Sequence, residues 1–322
     1  MSGEKKGDYR WALQQLTEVM TEHDISEPSA VVTDRELALM SALDDYFLST
    51  DHFLCRWHVN MNVLAKTKKF FPKPVRGADG IYRRHQKFKD FLQDWNALLL
   101  TTSETTYDDA LKKMEVVYDQ RAMSYVTSTW LIFKEKLVKF WVDQHLHFGY
   151  LVTSPVEGCH AGLKQYLQRS TASLDGVFEK LQDFWVAQHS RLLDTVAQQA
   201  NSPRHAHQIP LFQAVLNFVH GFALQKVLVE VAKLPRSGPP QNECGPQGCT
   251  IQRCFGLPCQ HKIYQRNQLY GTLIMSDFHP HWLIQRTATQ PSLEPNSLVL
   301  EPNRLQGRGR PRGAFRRCFE RS

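Results

Sequence analysis

Apolar residues recur along this chain mostly at helical spacing and only rarely in the short runs that mark strands. Residues 8–22, DYRWALQQLTEVMTE, put Ala12, Leu13, Leu16, Val19 and Met20 on one helical face, with Asp8 as a candidate cap. SEPSA at 26–30 reads as a turn. AVVTD then predicts a short buried strand, RELALMSALDDYF a helix, and HFLC at 52–55 a second strand. RWHVNMNVLAKTKKFF continues as a helix until Pro72 and Pro74 break it. Between about 85 and 138 the chain is helix-rich, and Phe91, Leu92, Trp95, Leu98 and Leu99 have the spacing of a packed helix face. Residues 125–150 are aromatic and amphipathic, and further helices are expected over 154–168 with Ser154 near the start and over 174–193. The apolar stripe from Phe212 to Val231 predicts one more, stopped by Pro235. Two short strands beside eight or more helices is an odd ratio for a complete domain, because two short strands do not form a stable sheet alone.

Composition divides the chain. PRSGPPQNECGPQG at 235–248 is a Pro/Gly linker, 249–285 is a Cys/His segment, and 286–322 holds little that could make a core. No stretch approaches the roughly 20 apolar residues of a membrane span. The N-terminus, MSGEKKGDYRW, lacks the apolar centre of a signal peptide, so an intracellular protein is expected. A net charge of +7 and a pI of about 9.0 favour an anionic partner, of which nucleic acid is the commonest. The cysteine count is seven, and four of them lie between 244 and 259. In a reducing compartment such a cluster reads as metal ligands before disulfides.

Residues 66–89 carry nine Lys/Arg, among them Lys68, Lys69, Arg83 and Arg84, against one Asp, interleaved with aromatics. A solvated face and a DNA-backbone contact both fit this run. GRGRPRGAFRR at 307–317 presents Arg308, Arg310 and Arg312 around a Gly-Arg-Pro core. That core resembles an AT-hook, which inserts Arg into a narrow A·T minor groove; a basic tail or localisation signal is the other reading. This segment is expected to be disordered when free. Asp34, directly after an apolar run, suits a helix cap or a carboxylate held out for a metal, and the two roles are compatible. Cys55 and His58 have CxxH spacing, which fits either a buried Cys beside a hydrogen-bonded His or part of a metal site. Trp57 reads as a core residue.

Three segments together carry a resemblance: VVTDRELALMSAL, LCRWHVNMNVLAK and HFGYLVTSPVEGCHAGLKQYL. In order and spacing they resemble the transposases of Mutator-like elements (MULE) of the fungal type. The resemblance implies an α/β, helix-rich, RNase H-like (DDE) domain over 1–234 with a helical insertion at about 56–153. It implies Asp34 and Glu157 as the second and third catalytic carboxylates around two Mg²⁺ ions, which take oxygen ligands and drive phosphodiester attack. The family's first Asp lies upstream of a stretch that matches GEKKGDYRWAL here, at 3–13. The expectation is therefore an N-terminally truncated, catalytically incomplete domain that binds Mg²⁺ only if completed. The segment 249–285, CTIQRCFGLPCQH with a following HPHW, resembles a SWIM-type zinc finger. On that basis Cys249, Cys259 and His261 are expected Zn²⁺ ligands with Cys244 or Cys254 as the fourth, while His279 and His281 serve local structure. The implied protein is nuclear and binds DNA, with self-association or a full-length transposase as a further partner and no membrane. A domesticated DNA-binding regulator and a non-functional remnant are the alternatives.

Overall fold

A computed structural model describes residues 5–76, 79–80, 82–167, 174–201, 204–236, 238–241, 244–245, 248–269 and 271–284. The tail with Arg308, Arg310 and Arg312 lies outside them, as do Cys318 and the expected disorder of 286–322. The described residues are mostly helical, with one two-stranded parallel sheet and one two-stranded antiparallel hairpin.

The N-terminal part is α1 (Lys6–Glu22), β1 (Ala30–Thr33), α2 (Leu37–Tyr46), β2 (Asp51–Leu54) and α3 (Arg56–Thr67). β1 and β2 pair in parallel with Thr33 opposite Leu54, so both strands end at the same level. Tyr9, Leu13 and Met20 of α1 pack on Ala42, Leu43 and Phe47 of α2 and the residue after it. Leu16 and Val19, expected on the same buried face, are about half exposed. Asp8 is not the cap of α1. It lies inside the helix and its carboxylate accepts from the Lys5 amide.

The middle of the chain carries the hairpin β3 (Val75–Arg76) and β4 (Tyr82–Arg83), then α4 (Gln86–Leu99), α5 (Glu104–Val117), α6 (Gln120–Thr129) and the short α7 (Lys139–Val142). Phe88, Phe91, Trp95, Leu98 and Leu99 of α4 are buried against α5, α6 and Val59 and Val63 of α3. Trp95 is fully buried, and its indole N–H donates to Asn60 Oδ1, which satisfies the one polar atom it brings inside. The amphipathic stretch 125–150 is helical only to Thr129 and continues as a 3₁₀ stretch, α7 and a turn at 147–149. That turn is held from elsewhere: the amides of His147 and Phe148 both donate to the Cys254 carbonyl. Gly149 takes φ +89 there, with the Phe255 ring against it.

The C-terminal part holds α8 (Ser154–Leu167), α9 (Leu174–Asn201), α10 (Gly221–Val231), α11 (Thr250–Phe255) and α12 (Gln260–Leu269). The apolar stripe from 209 to 234 is one helix only from Gly221 onward. Before it, residues 218–220 are tied to 282–284, with the His220 amide on the Trp282 carbonyl and the Ile284 amide on the Phe218 carbonyl. Those bonds make an antiparallel bridge of Val219 with Leu283, which separates the turns at 213–218 from α10. One hydrophobic core includes Phe212, Val219, Leu224 and Val227 together with Leu257, Ile263, Phe278 and Trp282. The linker at 235–248 therefore marks a change of composition within one packed unit.

Candidate functional site

The Cys/His cluster is assembled by two helix starts. Cys249 sits at the N-terminus of α11, and Cys259 directly precedes α12. Gly256 ends α11 at φ +60, and a Cβ there would come within 2.5 Å of His279 Cβ, so only glycine lets the chain reverse at this point. The reversal brings His261 beside both cysteines, and Cys244 closes the group. Cys244 Sγ lies 3.5 Å from Cys249 Sγ, 3.4 Å from Cys259 Sγ and 3.2 Å from His261 Nδ1. Cys249 Sγ is 3.2 Å and Cys259 Sγ 3.7 Å from the same nitrogen. A tetrahedral zinc with ordinary bond lengths sets its sulfurs about 3.8 Å apart and its sulfurs about 3.6 Å from a nitrogen. The donor set thus fits a tetrahedral metal of Zn²⁺ size with slight contraction, and four protein donors leave no open position.

The three thiols of the cluster are shifted in different directions. Burial, with the neighbouring thiols, pushes Cys249 up to about 12 and raises Cys244. At Cys259 burial is outweighed by the Lys262 amide, the His261 ring and the Cys244 thiol, which hold its thiol below the ordinary range. Three crowded thiols are poor neighbours as thiolates unless a cation sits between them. His279 and His281 stand outside the cluster. His279 Nδ1 accepts from the His281 amide, and the His281 ring stacks on Phe148. Trp282 Nε1 donates to the Phe255 carbonyl, which ties HPHW to the turn.

Cys254 is not part of this group. It is buried, and its thiol donates to the backbone carbonyl of Asp143. Asp143, His147 and Cys254 form a second buried cluster. Its chemistry disfavours a cation. Lys139 already pairs with Asp143, and burial pushes the Cys254 thiol up to about 11. His147 Nδ1 accepts from the Gly149 amide, which leaves the proton of the neutral ring on Nε2, 3.5 Å from Asp143 Oδ1. These groups join the helical middle to the C-terminal module.

Of the two expected carboxylates, Asp34 comes just after β1 and Glu157 lies in the first turn of α8. Asp34 follows Thr33, is exposed, and makes no side-chain hydrogen bond or ion pair among the described residues. It does not cap α2; Glu36 does, accepting from the Ala38 amide. Just after β2, at the start of α3, comes Cys55, whose amide donates to the Thr33 carbonyl. Cys55 Sγ is fully buried and accepts from the Thr153 amide and hydroxyl, each at 3.3 Å. The same hydroxyl is 3.3 Å from His58 Nδ1 and 3.3 Å from Glu157 Oε1, and His58 Nε2 is 3.3 Å from that oxygen. Cys55, His58 and Glu157 thus converge on Thr153, which fixes the first turn of α8 to α3 and the sheet. Thr153 was not legible as a site residue; its signal is its place just before the helix start at Ser154. Trp57 is 39% exposed and packs edge-on to His58, so it is not a core residue.

In the basic segment, Lys68 and Lys69 occupy a 3₁₀ turn after α3, and Lys69 lies over the Phe70 ring. Arg83 forks onto Asp79, whereas Arg84 is exposed with no side-chain partner among the described residues.

Comparison with known proteins adds a family signal at the N-terminus. Residues 1–62 match the MULE transposase domain. Over 345 aligned residues the chain is 24% identical to a Chaetomium globosum protein named PKS-NRPS hybrid synthetase cheA, covering 98% of this chain and 7% of that protein. The chain thus spans a small part of the curated relative it matches. No solved structure matches.

Proposed function

We propose that this chain is a DNA-binding unit of the MULE transposase kind, built around a structural zinc. The convergence of Cys244, Cys249, Cys259 and His261 carries this reading, and the family match at 1–62 supports the transposase assignment. Zn²⁺ held by those four residues supplies a cross-link that fixes the starts of α11 and α12 to each other and to Cys244; with no open coordination position it is structural. DNA contact falls to the cations around Lys68, Lys69 and Arg84 and to the tail arginines Arg308, Arg310 and Arg312. In such a protein the site of action is the nucleus.

The same reading assigns an RNase H-like ancestry to β1, α2 and β2, with Asp34 and Glu157 in two of three carboxylate positions. The geometry in its favour is Asp34 at a parallel-strand end, exposed and without a capping role, and Glu157 tethered by the Thr153 network. Mg²⁺ at such a set activates the attacking oxygen and stabilises the leaving one. Two carboxylates alone do not hold two such ions. The activity proposed for the chain itself is DNA binding. The synthetase named in the comparison shares only 7% of its length with this chain, and no synthetase chemistry is proposed.

The test is the affinity of the zinc-loaded chain for duplex DNA as salt is raised. Affinity should fall by at least about tenfold between low and physiological salt, as counterion release requires. Absence of binding at low salt refutes the reading.

A further inference from the structure

Asp143 also lines a small polar cavity of about 260 Å³, with Thr102, Lys139, Thr250 and Arg253 around it. Three parts of the chain meet there: the turn between α4 and α5, the helix α7, and the start of α11. The volume is below the roughly 300–1,000 Å³ of sites that bury a whole small molecule, so the cavity suits one compact polar group.

The charge of the lining indicates the occupant. Arg253 Nε donates to the Asp143 carbonyl and Nη1 to the Gly248 carbonyl, both neutral acceptors. Two of the five N–H donors of its guanidinium are thus used and three are left, and it makes no ion pair among the described residues. The one carboxylate of the lining, Asp143, is answered from within the protein: one oxygen pairs with Lys139 and the other lies 3.5 Å from His147 Nε2. Arg56 adds a further positive charge with no ion pair among the described residues; after burial, it lowers both Lys139 and His147. The hydroxyls of Thr102 and Thr250 make no hydrogen bond among the described residues, and both residues are exposed. The excess of positive charge that makes this corner poor for a cation makes it good for an anion. A guanidinium fork, an ammonium and two hydroxyls form a donor set for phosphoryl oxygens.

We propose that this cavity is a phosphoryl-anion site, in which Arg253 and Lys139 hold the oxygens and Thr102 and Thr250 donate from the rim. Two sources share that chemistry: free phosphate, and a backbone phosphodiester of DNA. The second rests on the DNA-binding reading above; the first does not. Titration of the zinc-loaded full chain with inorganic phosphate at constant ionic strength, followed by phosphorus NMR, tests it. The wild type should bind phosphate saturably. Arg253→Gln should weaken that binding by about tenfold, through loss of the charged fork. Thr102→Glu should weaken it as strongly, because it sets a carboxylate among the cations. Thr102 is exposed and its hydroxyl holds nothing in place, so this variant keeps the series decisive where Arg253→Gln fails to fold. Lys112→Gln, which removes one charge from an exposed position of α5 outside the cavity, should bind as the wild type does. In a second arm the same chains are titrated with duplex DNA over a salt series. A salt slope lowered by about one in Arg253→Gln identifies the DNA backbone as the source, and an unchanged slope identifies the free anion. A wild type that binds phosphate but no DNA refutes the DNA reading and leaves this site standing. A wild type without saturable phosphate binding, binding that both cavity variants leave unchanged, or an equal loss in Lys112→Gln overturns the proposal.

Discussion

At the residue scale, single side chains separate roles that sequence leaves merged. Asp34 could be a cap or a metal-facing carboxylate, and the structure gives the cap to Glu36. Arg83 and Arg84 are adjacent in a basic run, yet Arg83 is neutralised by Asp79 and Arg84 is not. Arg84→Ala should therefore weaken duplex DNA binding more than Arg83→Ala, by severalfold in a fluorescence titration at fixed salt; equal losses would show that the Asp79 pair opens on binding. Gly256 has a positive φ and a Cβ position already filled by His279. Gly256→Ala should cost about 1–3 kcal/mol of stability, measured by denaturant unfolding. Such positions were legible only in part: the glycine is visible in FGLP, but its contact with His279 is a fact of folding.

At the element scale, the helices around Trp95 and the two strands could be read from spacing, because apolar periodicity reports burial directly. The failures share one cause. Residues 218–220 and 147–149 lie in strongly apolar runs, yet backbone bonds to 282–284 and to Cys254 hold them out of helix. Local periodicity cannot report a partner so distant in sequence. The Thr153 network is of the same kind, linking residues about a hundred positions apart. Thr153→Val should leave Cys55 and His58 without their shared partner, cost about 1–2 kcal/mol, and speed amide exchange in the first turn of α8. Unchanged exchange there would mean that α8 is held by other contacts. Buried histidines couple these elements to pH. Burial lowers His52 and His147 to about 4, with Lys136 adding at the first and Arg56 and Lys139 at the second. Both stay neutral in the folded chain, whereas the unfolded chain protonates them near 6.5. Their stabilising effect is complete above pH 6.5 and is lost as pH falls towards 4. Urea midpoints should drop across that window, and less steeply in His147→Gln.

At the scale of the whole molecule, 249–284 does not stand apart from the preceding helices. Leu257, Ile263 and Trp282 share a core with Phe212, Leu224 and Val227, and the Gln260 amide reaches the buried Glu230. The Cys/His cluster sits at the edge of that shared core, so metal and core should be lost together. The cluster itself was largely legible: CxH after FGLP marks two of its members, Cys259 and His261, and Cys249 lies just upstream. The choice between Cys244 and Cys254 was not, because both spacings are allowed and only packing sends Cys254 to Asp143. Counting zinc per chain by native mass spectrometry tests the account most directly. It predicts one zinc in the wild type and in Cys254→Ser, and none retained in Cys244→Ser. A metal-free wild type, or a Cys244→Ser chain that keeps its zinc, would contradict it.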